Sequence, residues 1–326
     1  MPYYDMPKDE LTKYMPELAL PDDAESFWST TLAESRAGAQ PAEWRKVETG
    51  LTLVDTFDVT FSGFGGQRVK AWLHLPANIE APVPAVVRFQ GYGGGRGLPH
   101  EVSVWALAGY ASFVMDTRGQ GSAWSPGDTP DPTGSAPSFP GFMTKGIGDP
   151  KEYYYRRVYT DAVLAVDAVR SHPMVRPRQV AVSGGSQGGG MTLAVASLAR
   201  DVWAAMADVP FLCDFRRATE IIDSDPYGEI VRYLKTHRDQ TATVFSTLAY
   251  FDAAALAPLA KAPALFSVAL MDPICPPSTV YAAFNRYGGE KRIVEYPFNG
   301  HEGGEAFHQT VQLEWLASLD AVPSRT

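Results

Sequence analysis

Apolar residues recur along this chain with two alternating periods, and the switches between them predict an order of elements. Within residues 1–45, Leu11, Tyr14, Met15 and Leu18 stand at helical spacing, so this stretch reads as a helical arm packed on the main body. Residues 57–61 alternate, Gly63-Phe64-Gly65-Gly66 has turn composition, and 69–75 answers it, which predicts a hairpin. Residues 84–89 form a short apolar run of the kind that makes a buried parallel strand. Residues 99–108 read as a helix and 111–115 as the next strand. Asp149-Pro150-Lys151-Glu152 has the form of an N-cap, a proline at the first helical position and a carboxylate in the first turn, opening a long helix to Arg170. Strands follow at 179–183, 203–209, 263–270 and 291–296, with helices between them.

Alternation of this kind predicts an α/β protein with a mostly parallel central sheet and helices on both faces. Two stretches interrupt it. Residues 122–150 are rich in Pro, Gly, Ser and Asp and read as one long loop, which in a compact domain is usually functional or lid-like. Residues 210–262 are a largely helical excursion between two strands of the same sheet, read as a cap inserted into a single domain spanning 1–326.

Composition adds bounds rather than mechanism. With 326 residues, 45% of them hydrophobic and 20% charged, the chain can bury a large core. Its net charge of −9 argues against a nucleic-acid partner and favours neutral or cationic small ligands. The first ten residues lack a basic and apolar leader pattern, and no window reaches the apolar length of a membrane span. Cys213 and Cys275 are the only cysteines, which fits a reducing compartment, so the cytoplasm is the expected location.

Gly184-Gly185-Ser186-Gln187-Gly188 follows the apolar run 179–183 and precedes Met191, Ala194, Val195 and Leu198, apolar at helical spacing. It matches G-x-S-x-G between a strand and a helix, the turn that exposes a nucleophilic serine in α/β-hydrolases. The bland alternative is a glycine-rich turn whose serine caps the helix. A serine nucleophile needs a base, an orienting acid and an oxyanion site, and in this fold acid and then histidine follow the serine in sequence. His301 lies in a loop just beyond the last strand, where the base is required, whereas His237 and His308 fall within helices. Asp272 follows the strand at 263–270, and Asp208, one strand earlier, is the second candidate acid. Asp214 and Asp252 fall in the helical excursion and are poorer candidates, and Glu302 is expected to order the loop beside the base. Backbone N–H groups of Gln187 and Tyr92 are the expected oxyanion donors. The Gly91–Gly95 loop fits no dinucleotide-binding pattern, and no metal-binding spacing occurs, so neither cofactor nor metal is expected.

Four motifs then carry a family resemblance: Arg118-Gly119-Gln120-Gly121, Gly184 to Gly189, Asp272-Pro273-Ile274-Cys275-Pro276-Pro277-Ser278-Thr279, and Gly300-His301-Glu302. With the tract Pro226 to Ile230, they make nearly the whole chain resemble the acetyl xylan esterase and cephalosporin C deacetylase family, carbohydrate esterase family seven. The resemblance implies Ser186, Asp272 and His301 as a triad and Tyr92 and Gln187 as oxyanion donors. Arg118 and Gln120 are implied as supports of the site. It implies deacetylation of small esters, notably acetylated xylo-oligosaccharides and related sugars, with cephalosporin C as a further substrate, and a homohexamer. A histidine is usual in the family where this chain has Gln90, and the run Gly93-Gly94-Gly95-Arg96 is also unusual, so acyl and alcohol preference are expected to differ there. Tyr92, Pro210 and Pro226 are expected to shape the acyl pocket. Two rival readings share the fold: a prolyl-oligopeptidase-type peptidase, which would carry a repeated propeller domain not visible here, and a silent hydrolase scaffold used for binding, which a fluorophosphonate label on Ser186 would exclude.

Overall fold

The computed structural model describes residues 3–134, 136–199 and 201–320. Its first half contains α1 (Lys8–Leu11), α2 (Ala24–Ala37), β1 (Glu43–Val47), β2 (Val54–Ser62), β3 (Arg68–Pro76), β4 (Val83–Phe89), α3 (Val104–Leu107) and β5 (Ala111–Met115). Then come α4 (Tyr154–Arg170), β6 (Val175–Gly185), α5 (Gln187–Leu198) and β7 (Ala205–Asp208). Four short helices follow: α6 (Phe215–Ile221), α7 (Tyr227–Thr236), α8 (Thr241–Leu248) and α9 (Ala253–Leu256). The chain closes with β8 (Ala264–Ala269), α10 (Pro277–Arg286), β9 (Lys291–Tyr296) and α11 (Glu305–Asp320).

Nine strands form one sheet in the order β1-β2-β3-β5-β4-β6-β7-β8-β9. The pairs from β1 to β5 are antiparallel, and every pair from β5 onward is parallel. The mostly parallel α/β architecture predicted from alternation is therefore the one found. The predicted hairpin is β2 and β3, with Phe57 opposite Leu73 and Val59 opposite Ala71.

Side chains alternate across a strand, so each strand serves two cores. On β4, Ala85, Val87 and Phe89 join the larger cluster, beneath α4 and α5. Val86 turns to the opposite face, where it meets Trp105 of α3 and Leu316 of α11. That second face has only a four-residue helix and α11 to cover it. The gap between them is where the main cavity extends.

Three local expectations need correction. Residues 1–45 are not helical throughout, because Glu43–Val47 pairs with β2 as an edge strand. The helix expected over 99–108 shrinks to Val104–Leu107, since Glu101 accepts a hydrogen bond from Leu98 N–H and closes a turn instead. Asp149-Pro150-Lys151-Glu152 is also a turn: the Asp149 carboxylate accepts from Lys151 N–H and its carbonyl from Glu152 and Tyr153. Extended backbone at Tyr153 breaks the helix there, and α4 begins at Tyr154 with Tyr153, Tyr154 and Tyr155 all buried. The excursion at 210–262 is helical as expected, and Phe211, Phe215, Tyr227, Ile230, Val244 and Phe251 belong to the same core as the sheet. No single helix among the described residues is long and apolar enough to cross a membrane.

Candidate active site

Ser186 stands between β6 and α5 with φ 56° and ψ −119°. A non-glycine residue in such a conformation costs about 1–3 kcal/mol and persists only where its surroundings fix it. Here they do. Ser186 N–H donates to the Asp208 carbonyl at 2.9 Å, and its own carbonyl accepts from Phe211 at 2.9 Å. Close approach also demands glycine at position 188, where a Cβ would lie 2.3 Å from the Phe89 carbonyl oxygen.

Asp272 follows β8 and is fully buried, with its Oδ1 accepting from Ile274 and Cys275 N–H at 2.8 and 3.0 Å. His301 follows β9, and its Nδ1 lies 2.9 Å from Asp272 Oδ2 and 3.1 Å from Oδ1. The other edge of the ring is open to a cavity of about 1090 Å³ that Ser186 also lines. The Ser186 hydroxyl lies within hydrogen-bonding reach of the Cys275 thiol. Among the described residues it makes no hydrogen bond to His301, an open geometry common before substrate binds. Burial, then the nearby Asp272 carboxylate, pushes the Cys275 thiol well above the usual thiol range. Ligand-type atoms of Asp272, Cys275 and His301 come within 4.8 Å of one another. Asp272 already accepts from two backbone N–H groups on Oδ1 and from His301 on Oδ2, an arrangement that suits orienting the imidazole for proton transfer.

Asp208, the second candidate acid, is engaged elsewhere. Its Oδ1 lies 2.9 Å from Nε2 of buried His308, and its Oδ2 accepts from Gln312 at 2.8 Å. His308 Nδ1 meets the Tyr296 hydroxyl at 2.9 Å, and Nε2 is buried beside Asp208 without a hydrogen bond. His237 stacks on Tyr233 at the end of α7. Asp214 and Asp252 cap α6 and α9. Glu302 holds the loop before His301, accepting from Asn299 and from Gly300 N–H at 3.1 Å each.

The loop after β4 and the start of α5 are tied by one buried amide. Gln120 Oε1 accepts from Gly93 N–H at 2.7 Å, and its Nε2 donates to Gln187 Oε1 at 2.8 Å. Gln187 is held further by the Tyr155 hydroxyl at 2.9 Å, which leaves its backbone N–H at the head of α5. Arg118 lies beneath, donating to both oxygens of Asp161 at 2.5 and 2.7 Å while Tyr154 donates to its carbonyl. The Tyr92 hydroxyl donates to Glu229 Oε1 on α7 at 2.6 Å and accepts from Phe142 N–H at 2.6 Å. Glu229 Oε2 accepts from Met143 N–H, so one carboxylate joins α7, the loop after β4 and the 122–150 segment. Burial raises the Glu229 pKa, and burial with the adjacent carboxylate raises that of Tyr92. The unusual glycine run also has a cause: a Cβ on Gly94 would lie 2.2 Å from the Trp124 ring, whose Nε1 donates to the Tyr92 carbonyl.

Pro226 lines the cavity beside Ile274, but Pro210 does not. Pro210 is buried against Gly189 in the first turn of α5, because the chain leaves β7 directly into that helix. Three contributions were not singled out from the sequence. Tyr4 donates to the Asp272 carbonyl at 2.5 Å, and Asp5 accepts from Ser278 N–H at 2.7 Å, so the arm braces the loop that carries the acid. Glu229 is the second. Arg88 is the third, and its signal was visible as a charged residue inside the apolar run 84–89.

The sequence model of the acetyl xylan esterase (AXE1) family matches residues 1–319. The chain belongs to that family. This family member is a carboxylic ester hydrolase. An acetyl xylan esterase from Paenibacillus sp. R4 is 38% identical, with a TM-score of 0.90 over 96% of this chain and 99% of that one. Acetyl xylan esterase 1 from Thermoanaerobacterium sp. is 31% identical, with a TM-score of 0.89 over 97% and 99% of the two chains. Among curated proteins, the acetyl esterase Axe7A of Xylanibacter ruminicola is 26% identical over 91% of this chain, which spans 66% of that protein's length.

Proposed function

We propose that this esterase removes acetyl groups from acetylated xylo-oligosaccharides and related acetylated sugars through an acetyl-enzyme on Ser186. The observation that carries the reading is the buried Asp272 carboxylate on His301 Nδ1, with the other edge of His301 open to the cavity Ser186 lines. Ser186 Oγ, turned toward His301 by rotation about its Cα–Cβ bond, attacks the acetyl carbonyl while His301 takes the hydroxyl proton. Asp272 keeps the ring in the tautomer that accepts it. Backbone N–H groups of Tyr92 and Gln187 stabilise the oxyanion, and Gln120 and Arg118 hold those two segments at a fixed separation. The sugar alcohol leaves with the proton from His301, and water then cleaves the acetyl-enzyme by the same route.

A small acyl group fits walls formed by Tyr92, Pro226 and Ile274, which the Glu229 bridge keeps in place. Comparing p-nitrophenyl acetate, butyrate and octanoate tests this, with acetate release from acetylated xylo-oligosaccharides followed alongside. Acetate esters should be turned over fastest; octanoate as the best ester overturns the reading. Cephalosporin C, an acetyl ester of a different alcohol, belongs in the same series.

The assembly we propose is a homo-oligomer, six copies by the family resemblance. Phe298, Phe307 and Leu107 are 81%, 84% and 65% exposed in the single chain, and burying them favours association. Light scattering that gives the mass of one chain would exclude it.

A further inference from the structure

The cavity does not end at Ser186. It runs down between α3 and α11, where Arg88, Ser103, Trp105, Ser183, Asp208 and Gln312 line it. Arg88 sits on the same face of β4 as Val86 and pairs in register with Ser183 of β6 and Val114 of β5. Among the described residues its guanidinium has neither a hydrogen bond nor an ion pair. Every other arginine near the site is matched: Arg118 by Asp161, Arg157 by Asp131, Arg96 by Asp58 and Asp128. Burial lowers the Arg88 pKa and the nearby Asp208 carboxylate opposes that only in part, its oxygens being engaged with Ser267 and Gln312 and lying 2.9 Å from His308. Burial holds His74, on β3 two strands from β4, toward its neutral form, and Arg88 adds to this. Half-buried in the cavity wall and without a hydrogen bond or ion pair among the described residues, this guanidinium keeps its donors free for an anion, which it would hold in charge-assisted hydrogen bonds.

We propose that Arg88 forms a carboxylate-binding subsite on the alcohol side of the cavity, which selects acetyl esters whose alcohol also carries a carboxylate, such as uronic-acid-bearing sugars. This rests on the esterase reading above. The dimensions suit it. Ser186 lies three residues beyond Ser183, the strand partner of Arg88, or roughly 10 Å at about 3.3 Å per residue. The arginine side chain spans part of that distance and leaves room for about one ring between nucleophile and guanidinium. Glu101, Asp225, Glu302 and Glu305 line the cavity as well. Two are tied to backbone N–H groups, Glu101 at Leu98 and Glu302 at Gly300, which offset part of their charge. Trp105, buried but facing the cavity, supplies an apolar wall for that ring.

The test uses two acetyl esters of matched shape, 4-acetoxybenzoate and its neutral amide, 4-acetoxybenzamide. The readout is the ratio of their kcat/KM values within each protein, which cancels any general loss of activity. In the wild type the ratio should favour the carboxylate. It should fall about tenfold or more in Arg88→Gln, chiefly through KM, and recover most of that in Arg88→Lys. An unchanged ratio in Arg88→Gln overturns the subsite. A measurement on the wild type alone covers the case in which the variant does not fold: 4-hydroxybenzoate should inhibit more tightly than 4-hydroxybenzamide, and equal inhibition overturns the proposal. Hydrolysis of p-nitrophenyl acetate separates the two readings. If the wild type does not hydrolyse it, the esterase reading itself falls; if it does and the ratio stays fixed, only the subsite falls.

Discussion

Two histidine–aspartate pairs among the described residues lie at the C-terminal edge of the sheet, built to the same 2.9 Å separation and opposite in exposure. In the pair after β8 and β9, the Asp272 side chain is 0% exposed and that of His301 is 32% exposed. In the pair formed by β7 and α11, the His308 side chain is 3% exposed and that of Asp208 is 29% exposed. A general base must reach the substrate with one nitrogen while a sheltered acid holds the other, and only the first pair allows it. In the second pair the ring is buried, with Nδ1 on Tyr296 and Nε2 shut in beside Asp208, which suits bracing α11 against the sheet. Separation alone does not set the two pairs apart; the direction of exposure does.

The comparison breaks most readily at the nucleophile. Ser186→Ala should cut kcat on p-nitrophenyl acetate by about a thousandfold or more while circular dichroism stays native, and near-native turnover would sink the serine mechanism. Next come the two acids. Asp272→Asn should cost about 10³–10⁴ in kcat and Asp208→Asn no more than about tenfold, measured by steady-state kinetics on the same ester. Equal losses would erase the distinction between the pairs. His308→Gln should act mainly on stability, lowering the unfolding free energy by about 1–3 kcal/mol in a urea titration, because it replaces a buried ring that packs on Tyr296 and bonds its hydroxyl. A loss in kcat as large as that of Asp272→Asn would instead give the second pair a chemical role. Tyr92→Phe keeps the backbone N–H but removes the hydroxyl between Glu229 and Phe142, so a fall in kcat of a few fold is expected. The smallest signal comes from Cys275, beside the first pair. Burial favours its neutral thiol, so raising the pH through the ordinary thiol range should not produce a reactive thiolate in the native protein. Stopped-flow reaction with a thiol reagent should therefore be slow at pH 8 and rapid only after unfolding.

Much of the site was legible because its signals are local. The elbow around Ser186 is a contiguous motif between a strand and a helix, and Asp272 and His301 each follow an apolar run at the place the mechanism requires. Helix boundaries were less legible where side chains competed with the backbone. Asp149 and Glu101 each close a turn with nearby N–H groups, so the helices expected there start later. Pro210 was misplaced because proximity in sequence to the end of a strand does not say which side of the following helix a residue meets. Glu229 and Tyr4 act on elements far away in the chain, and no local pattern marks their partners; nor does one show that Arg88 faces the cavity.

The sequence by itself determined the order of strands and helices, the sharp turn at Ser186 and the succession of serine, acid and base. Each depends on periodicity or on the backbone preferences of a few adjacent residues. Only the tertiary structure decided which aspartate holds which histidine, which ring stays open, and that Arg88 faces a cavity without a partner among the described residues. Those outcomes depend on the strands β6, β7, β8 and β9 lying side by side and on burial, and both follow from contacts between residues distant in sequence.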